Sequence, residues 1–233
     1  TYSVAARDGR EHEVEVYFEA SPRWALDQPY QQSASKGYEA DGLLYLKSGS
    51  KEQNILAKQG DDLRIDWGYF YMVAGKENTA YSVGNSTELR KNFVNGTLNS
   101  ASLEGEDSNG NMALVRSHGK VKNVTDKIML GYDDIYSIQY FGTNLRPYWN
   151  SKGDRTIEAE MLAAYNEYDK LLARCYAFDK KLMEDASAAG GKEYAELCAL
   201  AYRQSIAAHK LVEAPNGDLL WLSKENNSNG CIN

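Results

Sequence analysis

Cysteine, histidine and proline are scarce in these 233 residues, with three, three and four copies. No CxxC pair occurs, and His12, His118 and His209 stand far apart, so their spacing offers no zinc site. No apolar run reaches the ~18 residues that a membrane span requires, and a mean hydropathy of −0.59 agrees. Positive charge is nowhere concentrated. Residues 1–150 carry 16 basic and 20 acidic side chains and residues 151–233 carry 10 and 13, for a net charge of −7. Without a basic stripe, nucleic acid is excluded as an expected partner. Nucleotide-binding loops and cofactor motifs are missing too, so no cofactor and no metal are expected. An initiator Met, a basic leader and an apolar leader are all absent before Thr1, and the chain stops at Cys231-Ile232-Asn233 within a polar turn. The expectation is a piece of a larger protein, cut at both ends.

What is present describes a globular chain. Hydrophobic residues make up 42% and charged residues 25%, a balance that disordered and low-complexity segments do not show. Seventeen Tyr against five Phe suits sheets and clefts whose rings keep one wet edge.

The first 150 residues read as strands. Glu13–Glu19 alternates acid and apolar, the period of a strand with one wet face. Tyr2-Ser3-Val4 and the Asp8-Gly9 turn make an expected hairpin partner for it. Further strands are expected at Gly42–Lys47, Gln53–Lys58, Leu63–Val73, Met112–His118, Lys127–Tyr132 and Ile135–Phe141, with turn signals between them. One short helix opens at Ser86 as its cap and stops at Asn95-Gly96. This pattern predicts an antiparallel β-sandwich over residues 1–146.

Around Pro147–Asp154 the period changes. Ile157, Met161, Tyr165, Tyr168, Leu172, Cys175, Phe178 and Leu182 form one stripe of a helix from about Arg155 to Ala188, about 50 Å long at 1.5 Å per residue. Gly190-Gly191 ends it, a second helix runs from Lys192 to about Val212, and a short strand follows at Leu219–Leu222. Residues 154–233 are thus expected to be a helical hairpin and loop, giving an α+β chain. Two helices cannot bury this much apolar surface alone, so the rest of a helical domain, or a second copy of the chain as a homo-oligomer, is expected to cover it.

Three clusters carry chemistry. Gly60–Tyr69 holds three carboxylates, Arg64 and two aromatics; a structural turn with Arg64 paired to a carboxylate is preferred there to a polar cleft. On the second helix, Gln204 and His209 are candidates to reach a pocket, against a hydrogen-bonded core histidine. In Ser223–Cys231, Glu225 beside Lys224 offers an acid/base group of tunable pKa, and Asn226 and Lys224 offer substrate contacts.

At Gly60–Tyr69, Leu145-Arg146-Pro147-Tyr148-Trp149, Ala201–Gln204 through Lys210–Val212, and Ser223-Lys224-Glu225-Asn226 through Gly230, the sequence resembles the glutaminase A family of fungi and bacteria. Asn227 stands where that resemblance leads one to expect an aromatic. The resemblance implies a β-sandwich followed by the start of a six-hairpin (α/α) toroid, and a secreted or periplasmic location. It also implies hydrolysis of L-glutamine to L-glutamate and ammonia, so that a small amide is the expected substrate. The resemblance transfers no catalytic residue; from the clusters themselves, Glu225 is the candidate catalytic acid/base for that reaction, and Lys224, Asn226 and Gln204 are the candidate substrate contacts. A fragment is expected to be inactive alone. Two alternatives stay open: a six-hairpin glycoside hydrolase, whose second carboxylate would lie downstream, and a non-catalytic β-sandwich that binds ligands or supports a neighbouring domain.

Overall fold

A computed structural model describes residues 1–58, 64–98 and 110–223. Its elements run β1 Tyr2–Ala5, β2 His12–Ala20, β3 Ser33–Ala40, β4 Leu43–Ser50, β5 Tyr69–Gly75, β6 Thr79–Gly84, α1 Ser86–Val94, β7 Asn111–Val121 and β8 Asn123–Asp126. They continue with β9 Met129–Asp133, β10 Ile138–Tyr140, β11 Thr143–Leu145, α2 Ile157–Asn166, α3 Tyr168–Ala207, β12 His209–Glu213 and β13 Leu219–Ser223. A first compact unit holds Thr1–Ala57 and Arg64–Ile135, and the main part of a second begins at Tyr136.

The first unit is built from two larger antiparallel sheets, ordered β2-β7-β6 and β3-β4-β5-β9. Alternation decides which side chains they share. Leu46, Phe70, Met72 and Ala74 of one sheet and Ala20, Val83, Met112 and Leu114 of the other form a single buried cluster, so the sheets pack face to face. The chain is therefore α+β, with an antiparallel sandwich ahead of a helical hairpin. α1 is capped by Asn85, whose side chain accepts from the backbone N–H groups of Thr87 and Glu88; the cap lies one residue before the expected Ser86.

Several strand expectations are corrected. β1 does not fold back on β2. It pairs with β8 while β2 pairs with β7, so β1 and β2 run in line along one edge and Asp8-Gly9 sits in the loop between them. Residues 53–58 form no strand, because Gln53 and Leu56 adopt positive φ, near 48° and 50°. The strand expected from Leu63 starts only at Tyr69, and β3 and β6 were not anticipated. Of Ile135–Phe141 only Ile138–Tyr140 pairs, with β11.

In the second unit the expected first helix is two pieces, α2 and the first arm of α3, separated at Glu167 (φ −93°, ψ 9°). The second helix ends at Ala207 rather than Val212. His209–Glu213 instead alternates as β12, with Val212 fully buried and bridged to Pro147. Among the described residues, no helix is long and apolar enough to cross a membrane.

Candidate functional site

Gly191 reverses the helix. Its φ of 82° and ψ of −176° lie where side chains are excluded, and a Cβ on Gly190 would collide with the Tyr194 ring. Two glycines thus turn α3 without a loop, leaving a first arm at 168–190 and a second at 192–207. The arms meet through Phe178 and Tyr202, whose ring centroids lie 5.2 Å apart. Between them runs a groove of about 1170 Å³ lined by Cys175, Phe178, Leu182, Met183, Tyr202 and Ile206. Arg174, Asp179 and Arg203 give this apolar trough its charged side chains.

Gln204 stands on the second arm, exposed, with its carbonyl accepting from the Ala208 N–H; Arg203 and Ile206 line the groove, and Gln204 does not. His209 opens β12 instead of sitting on the helix. Its ring stacks on Trp221 (centroids 5.4 Å apart, planes 4° apart), and its Nδ1 lies 2.5 Å from the Ser205 carbonyl oxygen. Register pairs His209 with Ser223, the last residue of β13. Lys224, Glu225 and Asn226 follow directly in sequence and lie outside the described residues. β12, which pairs along the whole strand that leads to them, is itself held by the buried Val212, its bridge to Pro147 and the stack of His209 on Trp221 of β13. Glu213 adds an ion pair to Lys152 at 2.5 Å. Hydrogen bonds from Lys152 and Ser151 hold its carboxyl below the usual carboxylate range. Two stretches that carry the family resemblance, Leu145–Trp149 and Lys210–Val212, are thereby joined.

Of the carboxylate-rich stretch, the described residues from Arg64 to Tyr69 are pinned to the sheets around them. Asp66, 1% exposed, accepts from Gln31 Nε2 at 2.9 Å, and its carbonyl accepts from the Ser50 hydroxyl. Gln53 brackets Gly68, accepting from its N–H at 2.8 Å and donating to its carbonyl at 3.1 Å. Trp67 Nε1 donates to the Asp134 carbonyl, and the Tyr132 hydroxyl donates to the Trp67 carbonyl. Burial, and then the neighbouring Asp134, Asp66 and Asp133, push the Tyr132 hydroxyl upward, so it stays protonated and keeps donating. Arg64 meets a carboxylate through its backbone N–H, which donates to Asp27. Asp61 and Asp62 lie outside the described residues. Among the described residues no group of three or more His, Cys, Asp or Glu is arranged to hold a metal ion.

Fold and site together define a class: an α+β chain in which an antiparallel sandwich leads into a glycine-hinged helical hairpin. Residues 1–185 match the family described as a domain of unknown function, DUF5127, and residues 191–233 match the Glutaminase A six helical-hairpin domain. The chain belongs to the glutaminase A family. It is 27% identical over 247 residues to Glutaminase A from Aspergillus oryzae, an alignment spanning 99% of this chain and 35% of that protein. The two domain families thus meet at the Gly190-Gly191 reversal, with one arm of the hairpin on each side.

Proposed function

We propose that the protein carrying this chain is a glutaminase, hydrolysing the side-chain amide of L-glutamine to L-glutamate and ammonia. The match of residues 191–233 to the Glutaminase A six helical-hairpin domain carries this reading. The relative that aligns across the whole chain bears the same name, although the chain spans about a third of its length.

Amide hydrolysis adds a water oxygen to the amide carbon, breaks the carbon–nitrogen bond and delivers a proton to the departing nitrogen. Glu225 is proposed to take the proton from water and return it to the leaving ammonia. Lys224, one residue away, would favour the ionised carboxylate and help hold the carbonyl oxygen as it gains charge. Asn226 and Gln204 are proposed to read the amide and amino acid ends of the substrate. The β12–β13 hairpin supports this assignment: a strand fixed at both ends of its pairing is a firm base for a segment that must be oriented to react. In this reading the chain is secreted or periplasmic, and the rest of its own catalytic domain is its partner.

The test assays the protein that carries this chain, and the 233-residue chain alone, for ammonia release from glutamine and for reducing-sugar release from oligosaccharides. Ammonia release by the former, reduced at least ~10²-fold in Glu225→Gln with the melting temperature kept, is the expected result. Sugar release without ammonia release would replace the reading by a glycoside hydrolase. Glutamine turnover that survives Glu225→Gln would move the acid/base role elsewhere.

A further inference from the structure

The candidate residues of the second unit stand on two separate stretches. Gln204 lies in the last turn of α3, and Lys224, Glu225 and Asn226 follow β13 directly in sequence. One side chain ties the first stretch to the strand that leads to the second. α3 ends at Ala207 and β12 opens at His209, so Ala208 alone joins helix to strand. A helix end leaves its last carbonyls without intrahelical donors. The Ala208 N–H serves those of Gln204 and Ile206. The Ser205 carbonyl between them is met by the His209 ring, whose Nδ1 lies 2.5 Å from its oxygen. A carbonyl oxygen only accepts, so Nδ1 carries the hydrogen and caps the helix.

The same ring reaches across the hairpin. Antiparallel register sets His209 opposite Ser223 and Leu211 opposite Trp221. Trp221 is therefore the diagonal neighbour of His209 on one face, a separation that large rings span, and the two stack with planes 4° apart. On the other face Val212 is fully buried and bridged to Pro147, and a slip of β12 by one residue would turn it outward. A hydrogen bond on its edge and an indole on its face hold the imidazole in one orientation, the condition for placing other groups accurately. We propose that His209 is a positioning residue of the candidate site: it locks the helix end that carries Gln204 to the strand that leads to Lys224, Glu225 and Asn226, and so sets the spacing between them. The assignment rests on Gln204 and Glu225 serving the hydrolysis proposed for them. A purely structural cap would lower stability and leave those residues independent of it, whereas a positioning residue is coupled to them.

Ammonia release from glutamine by the protein that carries this chain tests it, with His209 changed alone and together with Gln204 or Glu225. His209→Ala removes both cap and stack, and should lower kcat/KM by about tenfold or more in protein whose helical circular dichroism is retained. His209→Asn, which keeps a donor for the Ser205 carbonyl, and His209→Phe, which keeps a ring on Trp221, should each recover part of the loss. In a Gln204→Ala or Glu225→Gln background the further loss from His209→Ala should shrink below about threefold, because a group it aligns has gone. Should His209→Ala unfold, His209→Asn and Trp221→Phe carry the same double-mutant comparison. Ammonia release that Glu225→Gln removes, with His209 effects under about twofold or fully additive to those of Gln204→Ala, overturns this assignment and leaves the glutaminase reading standing. Sugar release in place of ammonia release overturns the glutaminase reading instead. The comparison is then read on sugar release, where coupling upholds the role of His209 and additivity overturns it.

Discussion

In the sandwich, Leu46, Met72, Met112 and Leu114 are fully buried, whereas the buried side chains of α3 are Ala186 and Ala195. Tyr176, Leu197 and Leu200 of that helix stand more than half exposed. The same contrast holds for charge. Glu19 in β2 is almost enclosed and accepts from Tyr17, Arg90 and Asn111, while α3 carries Lys180–Glu184, Lys181–Asp185 and Lys192–Glu196 as exposed pairs one turn apart. Two sheets facing each other satisfy one another. A lone helical hairpin has a single seam, here the Phe178–Tyr202 contact, and its other apolar positions are arranged for contacts the hairpin does not make itself.

The comparison is broken most directly in the core. Leu114→Ala should destabilise the chain by about 2–5 kcal/mol in urea unfolding, through lost burial and the cavity left behind. A loss below about 1 kcal/mol would mean the sandwich is not close-packed. Next comes Glu19. Burial alone would raise its carboxyl, but hydrogen bonds from Asn111, Ser86, Arg90 and Tyr17 together bring it from the ordinary 4.5 down to about 2. A carboxylate depressed on folding stabilises above its unfolded pKa and loses that contribution as pH falls through the folded one. About 2–3 kcal/mol should therefore disappear between about pH 5 and pH 2. Glu19→Gln should flatten that part of the stability–pH curve, and an unaltered curve would assign acid sensitivity to other groups.

Gly191→Ala places a side chain in a glycine-only region and should cost about 1–3 kcal/mol, read as an earlier thermal transition of the helical circular dichroism signal. If alanine is accepted freely, the reversal is not set by backbone geometry. Smallest of all, Leu197→Lys and Leu200→Lys should shift stability by no more than about 0.5 kcal/mol. Both should nevertheless reduce binding of an apolar-surface dye, which separates an available face from a packed one.

How much of this was legible in the sequence follows from which forces act along the chain and which act across it. β2 announces itself because its wet and dry faces alternate in residue type. β3 does not, because its inward positions are Ser33 and Ser35, and the Ser35 hydroxyl donates to Ser48 across the sheet; a buried serine leaves no hydrophobic trace. The β1–β8 pairing joins residues more than a hundred positions apart, while the Asp8-Gly9 turn advertised a local partner. Residues 209–212 read as the end of the second helix because nothing before Pro215 signals a stop, but Val212 is drawn to Pro147. In the candidate site, the join between Leu145–Trp149 and Lys210–Val212 is a tertiary fact with no local signature. The stacking of His209 on Trp221 is likewise invisible until β12 and β13 are paired.

The loopless reversal at Gly190-Gly191 bears on how this architecture is inherited. The match to one domain family ends at residue 185 and the match to the next begins at residue 191, so the seam between two recognisable modules runs through the bend of one hairpin. Recombination there would hand Phe178 to one descendant and Tyr202 to another, each a helix stripped of the ring it packs against. A module exchanged at that seam must receive a complementary helix from its new neighbour or remain unpaired. The two parts are therefore expected to be transmitted together, and their side chains on either side of the bend to change in step.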